Sequence, residues 1–287
     1  MGHFLNVAWS GVWLGSAYAA VAVALVVSYR AARIVNMAVG ALFVFAALFA
    51  GALQGLGVEP PVAAVAAVVC VVLLAMGQEV FVHRPIAGAS PQILLLGTLA
   101  VAIVLSGVSA ILFGRDPVTG VGLVSTSAIG LGAWHTNSDV VTLVGAVVVV
   151  VALGSWAFES SRSGKVISAI GVDAGAAQLL GINVWRWRLV AMAFVGFLVG
   201  VAGVLFLPLG VLDFSQGLTF TLYGFVAAAI VGYYGIRRAM LGGWAFGIVS
   251  ALGSAYVSSV FSQAVTFGIL ASAVLIGQRL NRESVFS

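Results

Sequence analysis

Apolar residues run along this chain in long unbroken stretches, and polar residues are confined to the short gaps between them. Nine such stretches lie near residues 6–29, 34–56, 61–82, 92–113, 139–158, 189–211, 217–234, 239–259 and 262–278. Most are long enough to cross a hydrocarbon core of about 30 Å. Inside lipid the backbone must satisfy its own hydrogen bonds, so each stretch is expected to be a helix. They are too evenly apolar for the alternating strands of a membrane barrel. The expected fold is therefore all-α: a polytopic integral membrane helical bundle of about 8–9 transmembrane helices, a single domain over residues 1–287. The short pair within 217–259, around Tyr233-Tyr234-Gly235, fits either two full spans or a re-entrant hairpin.

One long stretch breaks the pattern. ESSRSGKVISAIGVDAGAAQLLGINVWRWR, about 159–188, is amphipathic and partly basic. Its periodicity predicts two short helices separated around Gly171-Val172-Asp173, with Asp173 capping the second and Gly181 stopping it. Trp185 and Trp187, interleaved with Arg186 and Arg188, mark the return to the membrane interface. Such a segment suits either the lipid headgroup layer or a groove in a partner protein. A second polar gap, about 114–138, carries Arg115 and Asp116.

Composition agrees with the pattern. The 287 residues are 62% hydrophobic and 7% charged, against roughly 25% charged in a soluble domain. Charge then orients the bundle, because Lys and Arg collect in cytoplasmic loops. With the loop after the fifth span inside, eleven of the 12 basic residues face the cytoplasm: Arg30, Arg33, Arg84, Arg162, Lys165, Arg186, Arg188, Arg237, Arg238, Arg279 and Arg282. Arg115 alone falls outside. The N-terminus is expected outside and the C-terminus inside. No Lys or Arg precedes the first apolar run, so a signal peptide's positive n-region is missing and the first span is expected to stay. The single cysteine, Cys70, excludes an intramolecular disulfide.

Chemistry is sparse. His3, His83 and His135 are far apart and show no metal-ligand spacing, so no metal site and no catalytic residue is assigned. Gly164-Lys165 is followed by Val166 and lacks the preceding glycine, so a phosphate loop fails. Glu79, His83 and Arg84 fall on neighbouring helical positions and read as an interfacial ion pair. Asp213 and Gln216 follow the sixth span and fit either a pore mouth or a solvated loop. No line of carboxylates suggests a proton relay, so any uphill transport draws its energy from another subunit. The glycines of GFLVGVAG (196–203) and LGGWAFG (241–247) stand at helix-neighbour spacing and suit close helix packing.

The 159–188 segment resembles the cytoplasmic coupling loop of ABC importer permeases, whose signature is E-A-A-x-x-x-G; this chain has Gly175-Ala176-Ala177-Gln178-Leu179-Leu180-Gly181. The match is nearer to the branched-chain amino-acid (LivH-type) permeases, where SRxGxxxxAxxxDxxxAxLLGIN is typical. Here stand Ser161-Arg162-Ser163-Gly164, Ala169, Asp173, Ala177, Leu179, Leu180, Gly181, Ile182 and Asn183. LGSAYAAVAVALVVSYR resembles that family's first span, ARIVNMAVGAL its I-N-F-A-H-G-E element at Asn36, Ala38 and Gly40, and EVFVHRPI its E-x-x-x-x-R-P turn. Val39 and Ala41 replace a His and a Glu, and RRAMLGG at 237–243 replaces P-G-A-x-x-G-G.

The resemblance implies the permease subunit of an ATP-driven importer in a bacterial inner membrane. Its substrate would be a small polar solute: branched-chain or other amino acids, or the urea and short-chain amides carried within the same broad group. Implied partners are two ATP-binding cassette subunits, a second homologous permease and an external solute-binding protein meeting the 114–138 loop. ATP-Mg would sit in the partner subunits; this chain holds no cofactor and hydrolyses nothing, and nothing calls for nucleic acid. Asp173, Ala176, Ala177, Gln178, Gly181, Ile182 and Asn183 would form the ATPase-coupling interface. Candidate residues of the translocation path are Asn36, Gly40, Asp213 and Gln216, with a helix-to-helix hydrogen bond the alternative role for Asn36. A self-contained secondary carrier or facilitative channel is the competing class.

Overall fold

In a computed structural model, residues 2–123, 128–131, 134–231, 235–256 and 268 are described. The ninth stretch, 262–278, apart from residue 268, lies outside the described residues, as do Arg279, Arg282, Tyr233, Tyr234 and the side chains of His3 and His135. The helices are α1 (Gly2–Ala32), α2 (Val39–Gly55), α3 (Pro60–Gln78), α4 (Pro91–Phe113), α5 (Ser138–Ser155), α6 (Arg162–Val172), α7 (Ala174–Leu179), α8 (Val184–Phe206), α9 (Gly217–Ile230) and α10 (Ile236–Tyr256). π-helical turns extend α3 over Glu79–His83 and α5 over Trp156–Ser160. Among the described residues, six helices are long and apolar enough to cross a membrane, and two shorter apolar ones, Val39–Gly55 and Phe214–Ile230, accompany them.

Three boundaries differ from the hydropathy reading by five residues. The second helix begins at Val39, because Arg33 adopts a left-handed φ of 55° and residues 33–38 leave the helix. The sixth expected span starts five residues early, at Val184, where Asn183 caps it through Arg186 N–H (3.1 Å). It stops at Phe206, shortly before Pro208, which lacks an N–H and clashes with a continuing turn. The all-α expectation also misses a small antiparallel hairpin in the 114–138 loop. Ala128–Leu131 pairs there with Trp134–Asn137, so these backbone groups are satisfied across strands and not along a helix.

α1 is the hub. Residues 17–27 are buried on every side, enclosed mainly by α8, α9 and α10. Its contact with α10 is backbone on backbone: a Cβ on Gly243 would lie 2.4 Å from the Cα of Ala19, and one on Gly247 would lie 2.3 Å from the Cα of Gly15. Small residues four apart on both helices allow this approach, which replaces the hydrophobic driving force that lipid cannot supply. Trp244 Nε1–H donates to Ser16 Oγ (2.9 Å) across the same seam. The glycines of α8 act likewise, Gly196 against α3 at Val72 and Ala75, and Gly203 against the carbonyl of Phe43 in α2. The outer faces of α3 and α4 carry exposed Val65, Val69, Leu73, Ile103, Val104 and Ile111, a surface suited to lipid.

Candidate translocation site and coupling surface

The segment between α1 and α2 runs through the protein interior. Thr221, which touches the start of α2, lies between Phe220, stacked on Tyr18, and Gly224, backed against Val21. Tyr18 and Val21 are near the middle of α1. The chain leaving α1 at Ala32 therefore climbs back through residues 33–38 to half the depth of the bundle before α2 begins. Broken backbone at such depth is tolerated only where side chains satisfy it. Here Met37 N–H donates to Thr98 Oγ1 (3.1 Å), Thr221 Oγ1 donates to Met37 O (3.0 Å) and Gly40 N–H donates to Thr221 Oγ1 (2.9 Å). Ala38 N–H donates to Asn36 Oδ1 (3.0 Å), which also receives Gln78 Nε2–H (2.8 Å).

Asn36, Thr98 and Thr221 are fully buried, and Gln78 nearly so. Gly40 is held against α9: a Cβ there would fall 2.2 Å from Gly217 O. Two helix N-termini, those of α2 and α9, thus meet inside the bundle. α9, at 14 residues, rises only about 21 Å. Beside their contact an aromatic cluster fills the space, with Phe43 at 4.7 Å and Phe206 at 5.6 Å from the Phe220 ring, and Tyr18 at 5.1 Å from Tyr223.

A buried Glu–His pair adjoins the break. Glu79 Oε2 and His83 Nδ1 are 2.7 Å apart at the end of the Pro60–His83 span, and both side chains are buried against neighbouring helices. His83 Nε2 reaches Gln78 Nε2 (3.3 Å), which links the pair to Asn36. Arg84 and Arg188 both lie over the Trp185 ring, 5.1 and 5.3 Å from its centroid. Asp213 and Gln216 sit apart from this network in the turn before α9. Asp213 Oδ1 accepts from Ser215 N–H (2.7 Å) and Oδ2 from Gln216 Nε2–H (3.0 Å).

The amphipathic segment predicted at 159–188 is two capped helices. Ser161 Oγ accepts from Gly164 N–H (3.2 Å) to start α6, and Asp173 Oδ1 from Ala176 N–H (2.9 Å) to start α7. Gly181, at φ +78°, ends α7, with Ile182 N–H returning to Ala177 O (3.1 Å). Ala177 is 3% exposed, packed with Ile170 and Val184 in the segment's own small core, whereas Asp173, Ala176, Gln178, Gly181 and Asn183 are exposed and Ile182 half-buried. Ala177 therefore positions the loop and does not face outward. The largest apolar groups presented outward are Leu179 (91% exposed), Leu180 (81%) and Val172 (77%). The sequence held a signal for them: a Leu-Leu pair ending a six-residue helix cannot turn both side chains inward.

α6 is fixed to the end of α1. Arg30 Nη2–H donates to Ser168 Oγ (3.1 Å), Arg33 Nε–H donates to Gly171 O (2.7 Å), and a Cβ on Gly171 would lie 2.1 Å from Arg30 O. The residues that clamp α6 lead directly into the buried 33–38 segment. Thr98, Gln78, Thr221 and Arg33 were not singled out from the sequence. Their signal is that three of them are lone hydrogen-bonding side chains within apolar runs.

A family profile described as "Branched-chain amino acid transport system / permease component" matches residues 8–277. The high-affinity branched-chain amino acid transport system permease protein LivH of Salmonella typhimurium (strain LT2) is 27% identical over 290 residues, covering 96% of this chain and 94% of that one. LivH of Escherichia coli (strain K12) is 28% identical over the same shares. The permease BraD of Pseudomonas aeruginosa is 28% identical over 292 residues, 95% of this chain and 94% of its own.

Proposed function

The chain belongs to the branched-chain amino acid transport system permease family, a family of multi-pass inner-membrane proteins, and from that premise we propose that it is the translocation subunit of an ATP-driven importer of branched-chain or other small amino acids. Two ATPase subunits, a second homologous permease and an external binding protein complete the transporter. ATP-Mg binds the ATPases. The N-terminus faces outside and the α6–α7 segment faces the cytoplasm, a reading supported by the gathering of Arg30, Arg33, Arg162, Arg237 and Arg238 at that end.

One observation carries the proposal: the exposed apolar tip of α7 sits on a segment clamped through Arg30 and Arg33 to the chain entering the buried break. Force applied at Leu179 and Leu180 reaches Asn36 through a few rigid residues. Packed cores have discrete arrangements, so such a push changes which side of the break is open. The converging N-termini of α2 and α9 present partial positive charge, which suits a solute carboxylate passing the Gly40–Gly217 contact. Closure of the aromatic cluster around Phe220 on the outer side and opening toward the cleft bounded by Tyr29, Arg33 and Gln92 would complete one half-cycle.

Reconstitution tests this. The chain with both ATPases, the homologous permease and the binding protein should take up a labelled branched-chain amino acid only with ATP. Changing Leu179 and Leu180 to Asp removes two anchors of about 1.5–3 kcal/mol each and should weaken ATPase retention on the order of 100-fold. Uptake by the chain alone, without ATP, would replace the importer with a self-contained carrier.

A further inference from the structure

We propose that the pocket bounded by Arg30, Glu159, Gly235, Arg237 and Arg238 binds the phosphate of an anionic glycerophospholipid. The pocket is a cavity of about 420 Å³ where the end of α1, the π-helical turn after α5 and the start of α10 meet. Three guanidinium groups line it against one carboxylate. That carboxylate is already engaged: Glu159 Oε1 accepts from Arg30 Nη1–H (3.2 Å) and from Ile236 N–H (2.7 Å). Arg30 is further held by Ser168 Oγ, and Arg237 Nε–H donates to Ser155 Oγ (3.0 Å).

Both held arginines are thus oriented before any ligand arrives. The terminal nitrogens of Arg237 and all of Arg238 donate to no other group among the described residues. Guanidinium pairs bind phosphate oxygens bidentately, and the first turn of α10 adds its own partial positive charge. The cavity has more positive charge than its own carboxylate neutralises.

The surroundings select a lipid over a soluble acidic partner. One turn before Glu159, Trp156 is 66% exposed, and Leu153 beside it is 60% exposed. One turn after Arg237 and Arg238, Leu241 is 56% exposed. An apolar surface with a tryptophan at its rim flanks the basic pocket on both helices. This is the arrangement required by a molecule with a phosphate at one end and acyl chains at the other.

The test uses the full chain in nanodiscs of phosphatidylethanolamine with and without phosphatidylglycerol, reading lipid retained after detergent extraction by native mass spectrometry. The wild type should retain phosphatidylglycerol selectively. At about fivefold per surface arginine, R237Q/R238Q should retain roughly 25-fold less. E159Q keeps an oxygen for Ile236 N–H but removes the competing charge, so its retention should rise. Equal retention by the wild type and R237Q/R238Q would overturn the proposal, as would unchanged retention in E159Q. Two further outcomes would also overturn it. Displacement of phosphatidylglycerol by equimolar soluble glycerol 3-phosphate would make the pocket a free-phosphate site. Loss of ATPase subunits from R237Q/R238Q with lipid retention intact would make it a protein contact.

Discussion

Arg33 donates its Nε–H to the carbonyl of Gly171 at 2.7 Å, joining the residue that ends the first helix to the last turn of α6. Two segments distant in sequence, one leading to the buried Asn36 and one leading to the exposed tip of α7, are thereby held as one body.

Arg33→Ala should separate these two motions. A hydrogen bond from a charged donor contributes about 1.5–3 kcal/mol, so its loss should lower solute-stimulated ATPase activity in the assembled transporter by about tenfold or more. The basal ATPase rate and membrane insertion should stay near wild type. Unchanged stimulation would remove Arg33 from the coupling route.

Thr221 serves two backbone groups at once, Gly40 N–H and Met37 O. Thr221→Val is nearly isosteric but leaves both unpaired in a buried site, at about 1–3 kcal/mol each. Thermal unfolding of the detergent-purified protein should shift downward for Val and remain close to wild type for Thr221→Ser, which keeps the hydroxyl. Equal midpoints for the two variants would show that the break finds other partners.

Glu79 and His83 form a buried pair. Removing one partner leaves a buried polar atom of the other without its hydrogen bond, so His83→Phe should destabilise by about 1–3 kcal/mol. Adding Glu79→Leu to it should recover part of that loss. Chemical denaturation of the two variants measures the difference, and a double variant less stable than His83→Phe alone would contradict the pairing.

Gly181 ends α7 in the left-handed region, at φ +78°. A β-branched residue there costs about 1–2 kcal/mol of backbone strain. Gly181→Val should misdirect Ile182 and Asn183 and loosen ATPase attachment in co-purification, while the transmembrane helices still form. Full ATPase recovery would show that the loop tolerates another ending.

Burial explains which parts were legible beforehand. The long apolar runs declare helices because lipid leaves the backbone no alternative, and the caps at Asp173 and Gly181 are local chemistry with a range of a few residues. The start of α2 was placed five residues early because residues 34–38 are as apolar as the helix that follows. Hydropathy measures partition into lipid and cannot tell a helical turn from an extended segment whose hydrogen bonds go to Thr98 and Thr221. The partner of Glu79 could be found locally, four residues on at His83, but the burial of the pair is set by α8 and the other helices around it.

By itself the sequence determined that the chain spans a membrane as helices, that one amphipathic segment interrupts the apolar runs, and where the second of that segment's two helices starts and stops. These follow from composition and from interactions within a few residues. Only the tertiary structure decided that α1 is enclosed on all sides, that α2 begins halfway through the bundle beside α9, and that Arg30 and Arg33 clamp α6 to that entry. Each of these depends on groups more than a hundred residues apart meeting at atomic contact. Glycine approaches and single side-chain hydrogen bonds set such meetings, and neither leaves a periodic trace along the chain.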